Sequence, residues 1–215
     1  ASDAEAIELL RAIEARHGSV QSVAGRFLQT RQIVDSPDSI KTAANFHLVK
    51  PNKFRADYTR PGEAPDPKAK YPYITTNLIV GRDSWQYVRD INQVSHYRFS
   101  NERNVRDFNY LLLGFGAHTE ELLKVYQVKS LKNAPKGYRA VQLIPLDPSD
   151  AGFKSITMLV TDDEALLPAQ FSMVQADDTR VTVDLDLKSL QIGARINERI
   201  FRPDFPKDAE PVELN

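Results

Sequence analysis

Alternation at every second residue dominates this chain. Between Ser39 and Lys50, the residues Ile40, Thr42, Ala44, Phe46 and Leu48 fall on one side of an extended backbone, and Lys41, Asn45 and His47 fall on the other. That period belongs to a strand with one buried face. Val181, Val183, Leu185 and Leu187 alternate as strictly with Thr182, Asp184, Asp186 and Lys188, so Val181–Leu190 is expected to keep one wet face. Further segments at Ser19–Val34, Lys53–Tyr58, Tyr73–Val80, Ser84–Asp90, Gln93–Ser100, Tyr126–Lys132, Tyr138–Pro145, Phe153–Thr161 and Pro168–Ala176 bring the expectation to about eleven strands. Breaks such as Asp35-Ser36-Pro37-Asp38, Gly81-Arg82-Asp83, Asp162-Asp163 and Asp177-Asp178 join them. Turns that short connect antiparallel neighbours. The expected fold is therefore mainly β, one antiparallel sheet long enough to curl.

Two regions depart from that period. Ala6, Ile7, Leu10 and Ile13, widened by Leu9 and Ala12, recur at helical spacing after a Ser2 or Asp3 cap, and Gly18 ends the run. In the middle, Val105, Phe108, Leu111, Leu112 and Phe115 form one helical stripe from Asn101 onward, broadened by Tyr110 and Leu113 and stopped by Gly114 and Gly116. A second short helix is expected from Thr119, with Glu120 and Glu121 in its first turn, where acidic residues complement the helix dipole. The stretch Arg60–Lys70, with three prolines and one glycine, is the longest irregular segment and a natural flap.

Composition narrows the function more than the fold. The 215 residues carry 28 basic and 29 acidic side chains, a net charge of −1, so no bulk field draws the chain to nucleic acid or anionic lipid. The run Lys50, Lys53, Arg55, Arg60 is interrupted by Asp57 and Glu63 and reads as a solvated strand edge. With no cysteine, disulfides and thiolate chemistry are excluded. No apolar run approaches the roughly 18 residues that span a bilayer. The opening Ala1-Ser2-Asp3 without methionine fits a trimmed, exported form.

Candidate chemistry is sparse. His17, His47, His96 and His118 show no metal-ligand spacing, and His47 and His96 are expected on wet strand faces. There is no nucleophile elbow, and Gly114-Phe115-Gly116 closes an apolar helix rather than opening a phosphate loop. The aspartate pairs fall in turns, where aspartate has a backbone reason to be. Tyr71, Tyr73, Trp85 and Tyr87 lack basic company and read as core or groove lining. No catalytic residue, metal or cofactor is expected. The apolar segment Phe108–Phe115 has two readings that the sequence leaves open: a core helix plugging a curled sheet, or a lid that yields to an apolar ligand.

In order along the chain, several segments resemble the outer-membrane lipoprotein carrier (LolA) family. Phe46–Tyr58, with Lys50-Pro51-Asn52-Lys53-Phe54, looks like its second and third strands, one ending in basic-Pro-Asn-x-Phe and an aromatic-rich one following, and Leu78–Tyr87 with Trp85-Gln86-Tyr87 looks like its Trp-x-Tyr hairpin. Asp107–Gly114 looks like its helical lid, Tyr138–Pro145 like its strand ending in proline, and Phe153–Thr161, Pro168–Phe171 and Phe201–Pro206 complete the order.

The resemblance covers roughly Glu8 to Val212. It implies a half-open antiparallel β-barrel of about eleven strands, with an N-terminal helix and a helical lid over an apolar cavity, in a single domain over residues 1–215. It further implies a periplasmic, monomeric carrier. Its partners would be acylated lipoprotein or lipid cargo, an inner-membrane ABC transporter and an outer-membrane acceptor, without nucleic acid.

Groove and lid candidates are Phe46, Leu48, Phe54, Trp85, Phe108, Leu111, Leu112 and Phe115, with Met158 and Met173 as adaptable packers. Lys50 falls where the family carries a lid-latching arginine, and a lysine makes a looser latch. The insert Gly62–Tyr71 is longer than the family's usual connection. A lipid- or lipoprotein-sensing regulatory module on the same fold is the alternative. A catalytic relative would need polar residues clustered in the cavity, and a purely structural module would have no cavity.

Overall fold

The N-terminal helix forms where the apolar spacing puts it. In the computed structural model, which describes residues 3–100, 110–149 and 151–214, α1 runs Ala4–His17, and the Asp3 side chain caps it by accepting from the Ala6 N–H at 2.7 Å. The other Asp3 oxygen accepts from Ser130 N–H at 2.7 Å, so one side chain starts the helix and ties it to a strand. Ala6, Leu9, Leu10 and Ile13 are buried. At the far end, buried His17 faces the carbonyls of Ala165 and Leu166 at 3.0 and 3.1 Å through Nε2.

Among the described residues thirteen strands follow, two more than expected: β1 Ser22–Gln32, β2 Ser39–Val49, β3 Lys53–Thr59, β4 Thr75–Val80, β5 Asp83–Val88, β6 Gln93–Arg98, β7 Tyr126–Leu131, β8 Tyr138–Pro145, β9 Phe153–Thr161, β10 Pro168–Gln175, β11 Arg180–Leu185, β12 Gln191–Ile192 and β13 Glu210–Leu214. They form one sheet in the order β13-β6-β5-β4-β3-β2-β1-β11-β10-β9-β8-β7, with β12 pairing β1. The sheet is antiparallel-rich but not wholly antiparallel, because β13 pairs β6 in parallel. The added strands lie in the tail, where Pro211 and mostly exposed side chains leave no alternation to read. A backbone ladder, not side-chain burial, defines them.

By their internal contacts the residues fall into two compact units. The first comprises Ala1–Val20, Gln29–Ile40 and Asn109–Leu187, and the second Gln21–Leu28, Lys41–Phe108 and Lys188–Asn215.

In the first unit, β7 to β11 pair in sequence. Their register puts Val141, Met158, Phe171 and Val183 side by side on one face, and all four are buried. The helix α2, Thr119–Leu123, starts at the expected residue. The segment Tyr110–Phe115 is a 3-10 helix rather than an α-helix, and Val105 and Phe108 lie outside the described residues. The segment is followed directly by Gly116. That glycine has φ 87°, and a Cβ there would sit 2.5 Å from Gly18 N.

In the second unit, β2 to β6 form an antiparallel ladder without bulges. The tail, expected to be simply extended over Phe201–Pro206, includes a 3-10 turn at Glu198–Phe201 before β13.

Candidate functional site

The β2–β4 register builds an apolar strip in the second unit. Leu48 pairs with Phe54 and Phe54 with Ile79, while Phe46 pairs with Ala56. Paired residues share a face, and all five side chains are buried. Phe27 extends the strip, its ring 5.8 Å from Phe46 and 5.9 Å from Tyr58. Burial pushes the Tyr58 phenol up to about 12, so it stays neutral within the layer.

Trp85 is not part of this strip. It pairs with Leu78, one residue out of step with Ile79, and so points to the opposite face. There its ring stacks on His96 at 5.1 Å.

That opposite face carries a buried ion pair beside Leu78 and Tyr87, and the tail straps it. Asp57 is buried and receives Arg55 Nε and Nη2 at 2.9 and 3.0 Å and the Thr76 hydroxyl at 2.7 Å. Arg55 also donates to Ile200 O at 2.8 Å, Lys53 pairs with Glu198 at 2.6 Å, and Phe205 lies 5.8 Å from Tyr87. His47 and His96 share this face but are not on open, wet surface as expected; both are half-buried. Burial holds the His47 imidazole below its ordinary pKa, with Asp57 pulling up and Arg55 pushing down.

Lys50 follows β2 and is half-buried, which lowers its pKa, and its N–H donates to Gln21 O at 2.8 Å.

In the first unit, the 3-10 segment lies on the apolar face of the sheet. Tyr110 approaches Phe171 at 5.6 Å between ring centroids, and a Cβ on Gly114 would lie 2.5 Å from Pro168 Cβ and 2.9 Å from Phe171 Cζ. Leu111 and Phe115 are buried and Leu112 half-buried. Phe115 sits edge-on to His17, 6.2 Å between centroids. Met158 is fully buried and pairs with Phe171, while Met173 pairs with Ile156 and is half-buried.

The expected site residues thus divide: Phe46, Leu48, Lys50, Phe54 and Trp85 belong to the second unit, and Leu111, Leu112, Phe115, Met158 and Met173 to the first. Two further hollows hold none of them. One of about 290 Å³ lies beneath the insert, among Glu63, Asp66, Pro72 and Arg89. The other, of about 390 Å³, flanks the β1–β2 hairpin at Ile33 and Val34. Sequence reasoning missed the strapped polar face, because its partners, such as Arg55 with Ile200, lie 145 positions apart.

Among the described residues no three His, Asp or Glu groups are arranged to hold a metal ion, and no helix is long and apolar enough to cross a membrane. One long antiparallel-rich sheet with a few short helices defines the class as a mainly-β fold. Within that class, the chain belongs to the family described as outer membrane lipoprotein carrier protein LolA, which matches residues 18–204. The resemblance read from the residues is therefore borne out.

No curated protein matches the chain. Among solved structures, an uncharacterized conserved protein from Thermus thermophilus is 12% identical with TM-score 0.55, covering 98% of this chain and 99% of that one. A DUF1329 family protein from Desulfovibrio piger is 10% identical with TM-score 0.52, covering 93% and 96%. At these identities the likeness is one of fold.

Proposed function

We propose that this chain is a periplasmic carrier that shields the acyl chains of a lipoprotein or lipid, receiving them from an inner-membrane ABC transporter and passing them to an outer-membrane acceptor. Each methylene of an acyl chain in water costs about 0.8 kcal/mol, so a chain of membrane length carries on the order of 10 kcal/mol. A carrier must offset most of that and still let go. The proposed acyl-binding residues are Phe46, Leu48 and Phe54 in the second unit and, in the first, Leu111, Leu112 and Phe115 on the segment that covers Phe171. Met158 and Met173 are soft side chains that reshape around different cargo. Lys50 is the proposed latch.

The observation that carries the reading is the Tyr110–Phe115 segment resting on Phe171 and Pro168, within a chain that belongs to a carrier family. A cover that occupies the lipid's place when empty competes with cargo, so loading stays reversible.

Leu112→Glu tests this, because Leu112 is only half-buried and the variant can fold. Affinity for a synthetic lipopeptide should fall about tenfold or more, at least ~1.4 kcal/mol, with thermal stability nearly kept. Equal affinity in the folded variant would remove the segment from the binding site.

A further inference from the structure

Strand β13 ends the sheet beside β6, and of its five residues Val212 alone is half-buried, the other four being exposed. So little apolar burial cannot hold a strand by itself. Polar ties do the holding. Glu210 N–H donates to Asn92 O at 2.8 Å, and the Asn92 amide reaches the backbone and side-chain oxygens of Asp208 at 3.2 Å each. Within the strand, the side-chain tie is Glu213 Oε2 against His96 Nδ1 at 2.7 Å.

The other imidazole nitrogen, Nε2, lies 2.9 Å from Asp83 Oδ1, and Asp83 Oδ2 takes Arg98 Nη1 at 2.6 Å. Both nitrogens of one ring therefore face carboxylate oxygens. A neutral imidazole has a single N–H and can satisfy one of them; only the imidazolium donates to both. The ring also lies flat on Trp85, at 22° between planes, an arrangement that favours a cation. The charged groups around it are Asp83 from β5, Glu213 from β13, and Arg98 from β6 itself, the last already bound to Asp83.

We propose that protonated His96 is the clasp that holds the C-terminal strand Glu210–Leu214 on the edge of β6, and that the clasp opens when the imidazole loses its proton. Burial alone lowers the affinity of His96 for its proton, but the hydrogen bonds to Asp83 and Glu213 outweigh burial and raise its pKa above the ordinary value. The sign follows. Docking is fully supported below about pH 6.5 and weakens as pH rises through the raised value. Opening bares the N–H and C=O groups of the β6 edge.

The test uses the whole chain. Amide hydrogen exchange of residues 210–214 is compared with that of β4 at about pH 5.5 and about pH 8.5, corrected for the intrinsic pH dependence of exchange. Protection of the tail strand should fall about two- to fivefold, the range open to a largely exposed ion pair, while β4 is unchanged. Glu213→Gln, which alters an exposed side chain and spares the Trp85 stack, should abolish that pH dependence, as should His96→Gln.

Trp85 is the chain's only tryptophan, so its fluorescence, quenched by a stacked imidazolium, reads the proton directly. The midpoint should lie above about 6.5 and move down in Glu213→Gln. Tail protection that is flat with pH, a pH dependence that survives Glu213→Gln, or a Trp85 midpoint at or below that of a free histidine would each overturn the proposal.

Discussion

Replacing Gly114 by alanine separates a lid from a permanent plug. Gly114 does not take the left-handed backbone, so alanine fits there conformationally, and its better helix propensity favours the variant by about 1 kcal/mol. Space opposes it. The added methyl would lie 2.5 and 2.7 Å from Pro168 Cβ and Cγ and 2.9 Å from Phe171 Cζ. A proline ring cannot swing aside, and Phe171 is fully buried at the start of β10. Overpacking of this kind costs about 1–3 kcal/mol, and neighbours that cannot give way put it in the upper half, about 2–3 kcal/mol, so after the propensity gain of about 1 the closed segment should lose about 1–2 kcal/mol. At about 2–4 °C per kcal/mol for a chain of this size, urea titration and thermal melts will resolve that. The strain exists only while the segment is down. If the segment lifts to admit acyl chains, the open form gains ground, and apparent affinity for a fluorescent lipopeptide should rise roughly 5- to 30-fold. Loss of stability with unchanged or weaker binding would refute the lid and leave Tyr110–Phe115 as core. No loss of stability would refute the tight packing itself.

Three other substitutions follow from the same geometry. Asp3→Ala removes both the α1 cap and the tie to Ser130 and should cost about 1–2 kcal/mol, read by urea unfolding, whereas Asp3→Asn should keep much of the cap. Arg55→Ala leaves buried Asp57 with Thr76 alone and should cost about 3 kcal/mol; Arg55→Lys should recover only part, because a lysine cannot reproduce the fork on Asp57 and the bond to Ile200 O together. His47 has a folded pKa below its ordinary value because of burial. Above about pH 6.5 both folded and unfolded states are neutral there; below it the unfolded state takes the proton first, so stability should fall with pH until the folded value is passed. His47→Gln should flatten that slope in melts across the acid range, and an unchanged slope would assign it to other groups.

The strands that were legible are those whose burial alternates. In β2 the buried Ala44, Phe46 and Leu48 sit where alternation put them, and in β11 so do Val181, Val183 and Leu185. The N-terminal helix was legible for the same reason, at a different period. What escaped detection was structure made without side-chain burial. Five residues of β13 are held by a backbone ladder and a histidine, and no pattern in Glu210–Leu214 announces either. The central segment escaped differently. Its apolar stripe predicts that it is buried, and the described part is, but the close approach of Gly116 to the backbone of His17 and Gly18, nearly a hundred positions away, has no local signal. Trp85 shows the remaining gap. Motif resemblance located the hairpin, but the side of the sheet depends on register, and a shift of one residue reverses it.

That register bears on where cargo can go. The side of β3–β5 carrying Trp85 is committed: Arg55, Lys53 and Tyr87 hold the tail there, and buried Asp57 depends on Arg55. An acyl chain entering on that side would have to lift the tail, uncover an ion pair and place hydrocarbon against a carboxylate, costs of several kcal/mol against a gain of order 10. On the other side, Phe46, Leu48, Phe54, Ala56 and Ile79 present no buried charge, so an acyl chain there uncovers no ion pair. Under the carrier reading, the acyl chains therefore belong against the Phe46 side, and Trp85 leaves the groove to become the floor under His96. The two faces then do different work: one faces a guest that comes and goes, and the other holds the tail on terms set by a proton.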